Sequence, residues 1–421
     1  MTNIFPRLRR TRRSTRIALI GVSLITGLCT LAARGTSASS QAGPTAYSGH
    51  RSQQQGQQQG QQQGQQQGQQ RAQLDASKAA ARRTRPLIGL TSATFISAST
   101  GWLLGMTDCG RPACAIQLRK TTDGGRRWVA VNAPPAPALT GKANPGAVSQ
   151  VTFADSANGW AFDPGLWATH DGGASWHQVS THGLAVTSLA ASHGRAVAVF
   201  SPCQPSATCA RPSFRVYAAA ATGDNWRPVP GAAGRGSATV ITAGKLAYAS
   251  VGPAGALGRP RVLAGPVSGA RHWQAVRVPC RQVWGVDGLA LGATLPGTLV
   301  LGCASQPGAG SQARKVYLSA DGGRAWRELP APPDGGYLGQ VSITPAGTIF
   351  LSGERSDVYM YRNGGRSWRT SPSLNSADIG DGLTATVISN KEAFVLQSSP
   401  SLSQIWLTYN DGLTWKPMTV R

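Results

Sequence analysis

One eight-residue pattern recurs along this chain and constrains the fold more than anything else in it. Thr121-Thr122-Asp123-Gly124-Gly125-Arg126-Arg127-Trp128 is matched in spacing by Thr169–Trp176, with Asp171, and by Ser319–Trp326, with Asp321. Looser copies run Tyr361–Trp368, with Asn363 at the acid position, and Thr408–Trp415, with Asn410 there. The pattern has the chemistry of a tight hairpin. Its glycines supply positive φ at low cost. Its Asp or Asn side chain accepts backbone N–H groups and holds the turn. Its Trp opens the next strand and offers a large apolar plate.

The tryptophans also count the repeats. Trp226 and Trp273 fall in the long gap between Trp176 and Trp326. The ladder Trp128, Trp176, Trp226, Trp273, Trp326, Trp368, Trp415 then has spacings of 48, 50, 47, 53, 42 and 47. Seven units of this length suit four-stranded propeller blades. A second repeat agrees. Phe95 precedes Gly101-Trp102 by six residues, and Phe153 precedes Gly159-Trp160 by six. The same offset links Leu291 to Gly297, Val341 to Gly347 and Val387 to Ala393. Each unit reads as strand a, a turn ending at the Gly, strand b, a loop, strand c, the D-G-G turn, and strand d from the Trp. In the second unit these strands are Gln150–Phe153, Trp160–Phe162, Leu166–Thr169 and Ser175–Val179. The predicted fold is all-β: a seven-bladed propeller of four-stranded antiparallel blades over residues 87–421. The first blade starts with its inner strand and the last ends with its outer one. The ring is therefore expected to close by side-chain packing without strand exchange.

The units resemble the Asp-box, or bacterial neuraminidase repeat, S/T-x-D-x-G-x-T-W. With the upstream G-W element they are similar to propellers of the photosystem II assembly and stability factor family. The likeness is sharpest in blades 1, 2, 5 and 6. It fades in blade 3, where Ala221 stands at the Asp position, and in blade 4, which keeps little beyond Trp273. The resemblance implies a seven-bladed fold and binding of partner proteins during membrane-complex assembly. Asp-box repeats also occur in sialidases and sortilin-type receptors, so the box speaks to fold more than to function.

The N-terminus reads as targeting. Arg7, Arg9, Arg10, Arg12, Arg13 and Arg16 precede an apolar run from Ile17 to Ala33, a charged region followed by a hydrophobic one. Residues 1–33 are expected to be a signal peptide or a retained signal anchor. Residues 34–86 contain a Q-Q-Q-G tract from Gln53 to Gln70 with nothing apolar to bury, and are expected to be a disordered linker with a reach of roughly 40 Å. Of the net charge of +24, about half lies in residues 1–85 and about +12 remains for the rest. A basic balance favours anionic partners.

Six cysteines outside the targeting segment favour disulfides in an exported chain. Cys109 and Cys114 bracket a b–c loop, as do Cys203 and Cys209. Cys280 lies on the lead-in to blade 5, and Cys303 ends its strand b. Strand order puts b–c loops and blade lead-ins on one face. The predicted pairs are 109–114, 203–209 and 280–303, pinning loops where binding usually resides.

The chemistry of catalysis is thinly represented. Sialidases use an arginine triad, a Tyr nucleophile with a carboxylate partner and an acid/base Asp, an exception among glycosidases. Here Arg85-Pro86 precedes blade 1 with no R-I-P motif, and only Glu328, Glu354 and Glu392 occur as glutamates. Glu354 with Tyr359 and Tyr361 is the nearest approach to a Tyr/Glu pair, read as exposed hairpin side chains. His170, His177, His182 and His193 follow no metal-ligand spacing and are read as surface or turn residues. No G-x-S-x-G elbow appears. No catalytic residue, metal or cofactor is assigned. The sequence predicts an exported or membrane-anchored, monomeric, non-catalytic propeller that binds or scaffolds a protein or glycan partner of anionic character at the cell envelope. Membrane contact would run through the N-terminal segment if uncleaved, and nucleic acid is not a partner. A sialidase-type hydrolase is the competing reading. The two are separated by whether three arginines meet a Tyr and two carboxylates at the channel.

Overall fold

The computed structural model describes residues 87–421 except 88, 108–113, 140–143, 204–208, 286, 295–296, 309, 354, 356, 363, 372–373, 375–382, 398–403 and 421. The expected export segment and Gln/Gly linker lie outside the described residues, as do Cys109, Glu354 and Asn363. Among the described residues there are thirty strands and no helix. They form seven four-stranded antiparallel sheets and one two-stranded ribbon. The blades span residues 89–131, 150–178, 185–235, 238–276, 289–328, 340–370 and 383–419. Each is a meander from strand a to strand d, and the ribbon pairs Leu257–Gly258 with Val283–Trp284.

Strand d begins one residue past the ladder Trp in every blade: at Val129, His177, Arg227, Gln274, Arg327, Arg369 and Lys416. In blade 2 it is His177–Gln178, shorter than the predicted 175–179. The reason is local. The Ser175 N–H donates to Asp171 at 2.9 Å, so it serves the turn rather than the ladder.

The core is divided among seven clusters, one at each junction between neighbouring blades, and each holds one ladder Trp. The Trp plate thus lies between blades, not within one hairpin. In blades 2, 5 and 6 its indole N–H reaches back to the segment that ends the preceding blade. Trp176 donates to Asn132 O at 2.9 Å, Trp326 to Arg277 O at 2.7 Å and Trp368 to Pro330 O at 2.7 Å. One residue type therefore supplies both apolar area and register between blades.

The six-residue offset also has a physical cause in blades 1 and 2. Phe95 pairs directly with Gly101, and Phe153 with Gly159. A Cβ on either glycine would lie 2.5 Å from that Phe ring. In blades 5 and 6 the glycine sits in the turn instead, with φ of 105° at Gly297 and 90° at Gly347, and strand b opens at Thr298 and Thr348.

Hydroxyls stitch inner strands across several junctions. The Val151 N–H donates to Ser92 Oγ at 3.1 Å, Val240 N–H to Ser188 Oγ at 3.0 Å, and Ser342 Oγ to Ala385 O at 2.9 Å. The ring closes without strand exchange, since blades 1 and 7 each contain consecutive strands. Leu87, Leu90 and Leu103 pack against Phe394, Leu396, Ile405 and Leu407. Phe95 meets Phe394 with ring centroids 5.3 Å apart, and Tyr409 Oη donates to Gly124 O at 2.9 Å.

Candidate functional site

The D-G-G turns and the a–b turns share one face of the ring, joined by Gly124 N to Ser99 O, Gly172 N to Ala157 O and Gly322 N to Gly297 O. Each turn uses the same bonds. In blade 2, Thr169 Oγ1 donates to Asp171 Oδ1 at 2.8 Å and accepts from Gly173 N at 2.9 Å. Blades 1 and 5 repeat this with Thr121/Asp123/Gly125 and Ser319/Asp321/Gly323. Blade 7 does so with Thr408, Asn410 and Gly412. Both glycines of the D-G-G turns in blades 1, 2 and 5 lie at φ between 74° and 93°, a region that favours Gly. These bonds also explain the acidity of the turn acids. A hydrogen bond from the Ser175 hydroxyl, then its N–H and the Thr169 hydroxyl, hold Asp171 at about 2. Backbone donors at Arg127 and Ala325 lead the downward shifts of Asp123 and Asp321. The box carboxylates are consumed by their own turns.

The opposite face carries the blade lead-ins and b–c loops. Cys203 is bonded to Cys209 and Cys280 to Cys303, with Cα atoms 5.7 and 6.2 Å apart. On this face a groove of about 570 Å³ opens where the inner strands of blades 4, 5 and 6 converge. The volume is within the range of ligand clefts. Trp284, Pro307 and Tyr337 give it aromatic and apolar walls; Asp287, Gln312 and Gln340 give it polar groups.

The groove is held in place by its surroundings. Trp284 sits on the two-stranded ribbon, capped by Gly285 N to Ala256 O at 2.9 Å. The Leu338 N–H donates to Gln312 Oε1 at 3.0 Å, and Gln312 itself is buried. Arg314 Nη2 donates to Pro333 O at 2.5 Å, securing the loop that leads to Tyr337. Burial pushes the Arg314 pKa below its ordinary value, with its guanidinium 5.5 Å over the Tyr359 ring. Arg355 lies 6.0 Å over Tyr337. Gln340 lines both the groove and the central channel. Its buried Oε1 has no hydrogen-bond partner among the described residues.

The channel itself is lined by inner-strand residues such as Thr91, Gln150, Thr152, Thr187, Thr242 and Thr384. Among the described residues its lining contains no Arg, Asp, Glu or Tyr. Tyr359 and Tyr361, read from sequence as exposed, are buried between blades 5 and 6, with Tyr361 Oη donating to Gly365 O at 2.7 Å. Their apolar faces are needed by the junction core, which the alternation Tyr359-Met360-Tyr361 did not reveal. The groove residues were missed in the sequence. Two signals point to them: Trp284 lies off the ladder spacing, and Asp334-Gly335-Gly336 repeats the turn triplet with Tyr337 after it and no following Trp.

Seven four-stranded antiparallel blades, four of them sharing the hydroxyl-closed c–d turn, define a seven-bladed β-propeller. No protein-family model matches the chain, and no curated protein matches it. Among solved structures it is similar to YCF48 bound to D1 peptide, at 18% identity over 78% of this chain and 94% of that one, TM-score 0.50. It is similar to the β-propeller domain of the Trilobed protease from Pyrococcus furiosus, at 10% identity over 78% and 97% of the two chains, TM-score 0.47. The α-L-arabinofuranosidase arb93a from Fusarium graminearum matches at 17% identity over 73% and 87%, TM-score 0.39. At these identities the likeness is one of fold.

Proposed function

We propose that this chain is a non-catalytic binding propeller that takes up an extended peptide segment of a partner protein in the groove over blades 4 to 6. The groove carries the reading. It joins aromatic walls at Trp284 and Tyr337 to polar side chains at Asp287, Gln312 and Gln340, a lining that suits an extended peptide with its alternating apolar and polar groups. On the same face, exposed Arg259 and Arg281 flank the Cys280–Cys303 bridge, a basic rim that favours an acidic partner segment. The matched propeller bound to a peptide uses the same fold for that purpose. A channel lining without charged side chains among the described residues gives the sialidase reading no acid/base pair to work with. Two disulfides support residence in an oxidising compartment, and the Arg-rich, apolar N-terminal segment supports export, with the propeller displayed at the cell envelope.

The test is site-specific photo-crosslinking in the native envelope. A photoreactive side chain at Tyr337 is expected to give one discrete protein adduct, lost when Trp284→Ala is added. The same group at Arg324, on the turn face, is expected to give none. Equal adducts from both faces, or none from Tyr337, would overturn the reading; a glycan adduct would move the partner to the other chemical class.

A further inference from the structure

At the junction of blades 2 and 3, on the turn face, three side chains from two neighbouring c–d turns meet. His170 Nε2 lies 3.4 Å from Asp224 Oδ2, and His177 Nε2 lies 2.6 Å from the same oxygen. All three donor atoms fall within 4.8 Å of one another. His170 is the middle residue of the Thr169-His170-Asp171 box segment, and His177 follows the box Trp176. Asp224 belongs to blade 3, three residues past the position where Ala221 replaces the turn acid.

The hydrogen-bond chain behind His170 fixes which nitrogen is free. Asp155 can only accept, and Asn158 Nδ2 donates to both its oxygens at 2.9 and 3.0 Å. Asn158 Oδ1 therefore faces His170 Nδ1, at 2.8 Å, and must receive its N–H. Asp155 is anchored in turn by the N–H groups of Ala157 and Asn158, each at 2.8 Å. Burial pushes Asp155 upward, but these bonds outweigh it and leave it below its ordinary value, a carboxylate. With Nδ1 committed to Asn158, Nε2 is the ring nitrogen left to act as a metal ligand, and it faces Asp224 Oδ2. An amide or carboxylate behind a ligating imidazole is also the usual support of a metal-bound histidine. Asp224 Oδ1 is buried without a hydrogen-bond partner among the described residues.

We infer that His170, His177 and Asp224 form a site for a zinc-class divalent metal ion. Two imidazoles and one carboxylate suit Zn²⁺. Bonds of about 2.0–2.2 Å place tetrahedral ligands roughly 3.3 Å apart, so the His177–Asp224 pair opens by less than about 1 Å to admit the ion. Three protein ligands leave a fourth position for water or an anionic oxygen donor. It adjoins a cleft of about 530 Å³ walled by Phe200, Tyr217 and Trp226. The site is independent of the groove on the other face.

The experiment uses the full chain without an added polyhistidine, stripped with a chelator and titrated with Zn²⁺ alone by calorimetry, then with Co²⁺ followed by visible absorption. One equivalent is expected to bind, with the visible bands of low-coordinate cobalt. His170→Ala and His177→Ala should each weaken it at least tenfold, and Asn158→Ala should weaken it about 10–100-fold by loosening His170. Asp224→Asn, which keeps its shape, covers the case in which a histidine variant fails to fold. Absence of a saturable equivalent, or an equivalent retained in folded His177→Ala and Asp224→Asn, would overturn the site.

Discussion

The c–d turns of blades 2 and 3 occupy equivalent places in the ring and spend their carboxylates differently. In blade 2 the acid is Asp171, and its oxygens accept from Thr169 and from Ser175 N and Oγ within the turn. In blade 3 that place is Ala221, and the turn is closed by backbone bonds such as Ala221 N to Gly194 O at 2.9 Å and Trp226 N to Asp224 O at 2.9 Å. The acid of blade 3 arrives three residues later as Asp224, where other blades have Arg126, Ala174 or Arg324. Freed from the turn, it faces the histidines of blade 2. A residue kept in register around the ring serves the ring. One that departs from the repeat is available for other work.

The comparison is tested hardest at the ladder Trp, which the departed blades retain. Trp273 is 1% exposed and packs among Val229, Val240 and Leu263 at the blade 3–4 junction. Trp273→Ala is expected to cost about 3–5 kcal/mol, matching Trp415→Ala in the more regular blade 7, as read from denaturant unfolding midpoints. A much smaller loss at Trp273 would mean that blade 4 has shed the packing rule along with the turn acid.

The hydroxyl of the regular turn comes next. Thr169 is 1% exposed, and its Oγ1 accepts the buried Gly173 N–H. Thr169→Val keeps the shape and removes the acceptor, leaving that N–H orphaned at a cost of about 1–3 kcal/mol. Blade 3 has Ala219 at this place and uses no such hydroxyl. Thermal unfolding of the variant within error of the parent would show that the box bonds are dispensable in blade 2 as well.

The blade count could be read in advance because it rests on local, repeated features: glycines at positive φ, a turn acid and a Trp at near-constant spacing. The place of the Trp between blades could not, since a hairpin pattern says nothing about which neighbour its plate meets. Trp284, Tyr337 and Gln340 come together from two blade lead-ins more than fifty residues apart. His170 and Asp224 are likewise 54 residues apart. Convergence across junctions depends on the closed ring, and spacing along the chain carries no trace of it.

The smallest effect sharpens the comparison between an acid that serves a turn and an amide that does the same. Blade 7 has Asn410, whose Oδ1 accepts Thr408 Oγ1 and Thr414 N and whose Nδ2 donates to Thr414 Oγ1 at 2.9 Å. Asp171→Asn can copy that arrangement with Ser175, so the variant differs from the parent chiefly in charge. Ser175 and Thr169 lower Asp171 from 3.8 to about 2. With the folded value below the unfolded one, ionised Asp171 adds stability above pH ~4 and loses it as the pH falls through about 2. Its exposure to solvent keeps the contribution small. Melting temperatures of parent and Asp171→Asn should therefore differ most at pH 5 and converge toward pH 2. A difference that stays constant across that window would show that the turn recognises the shape of the side chain and not its charge.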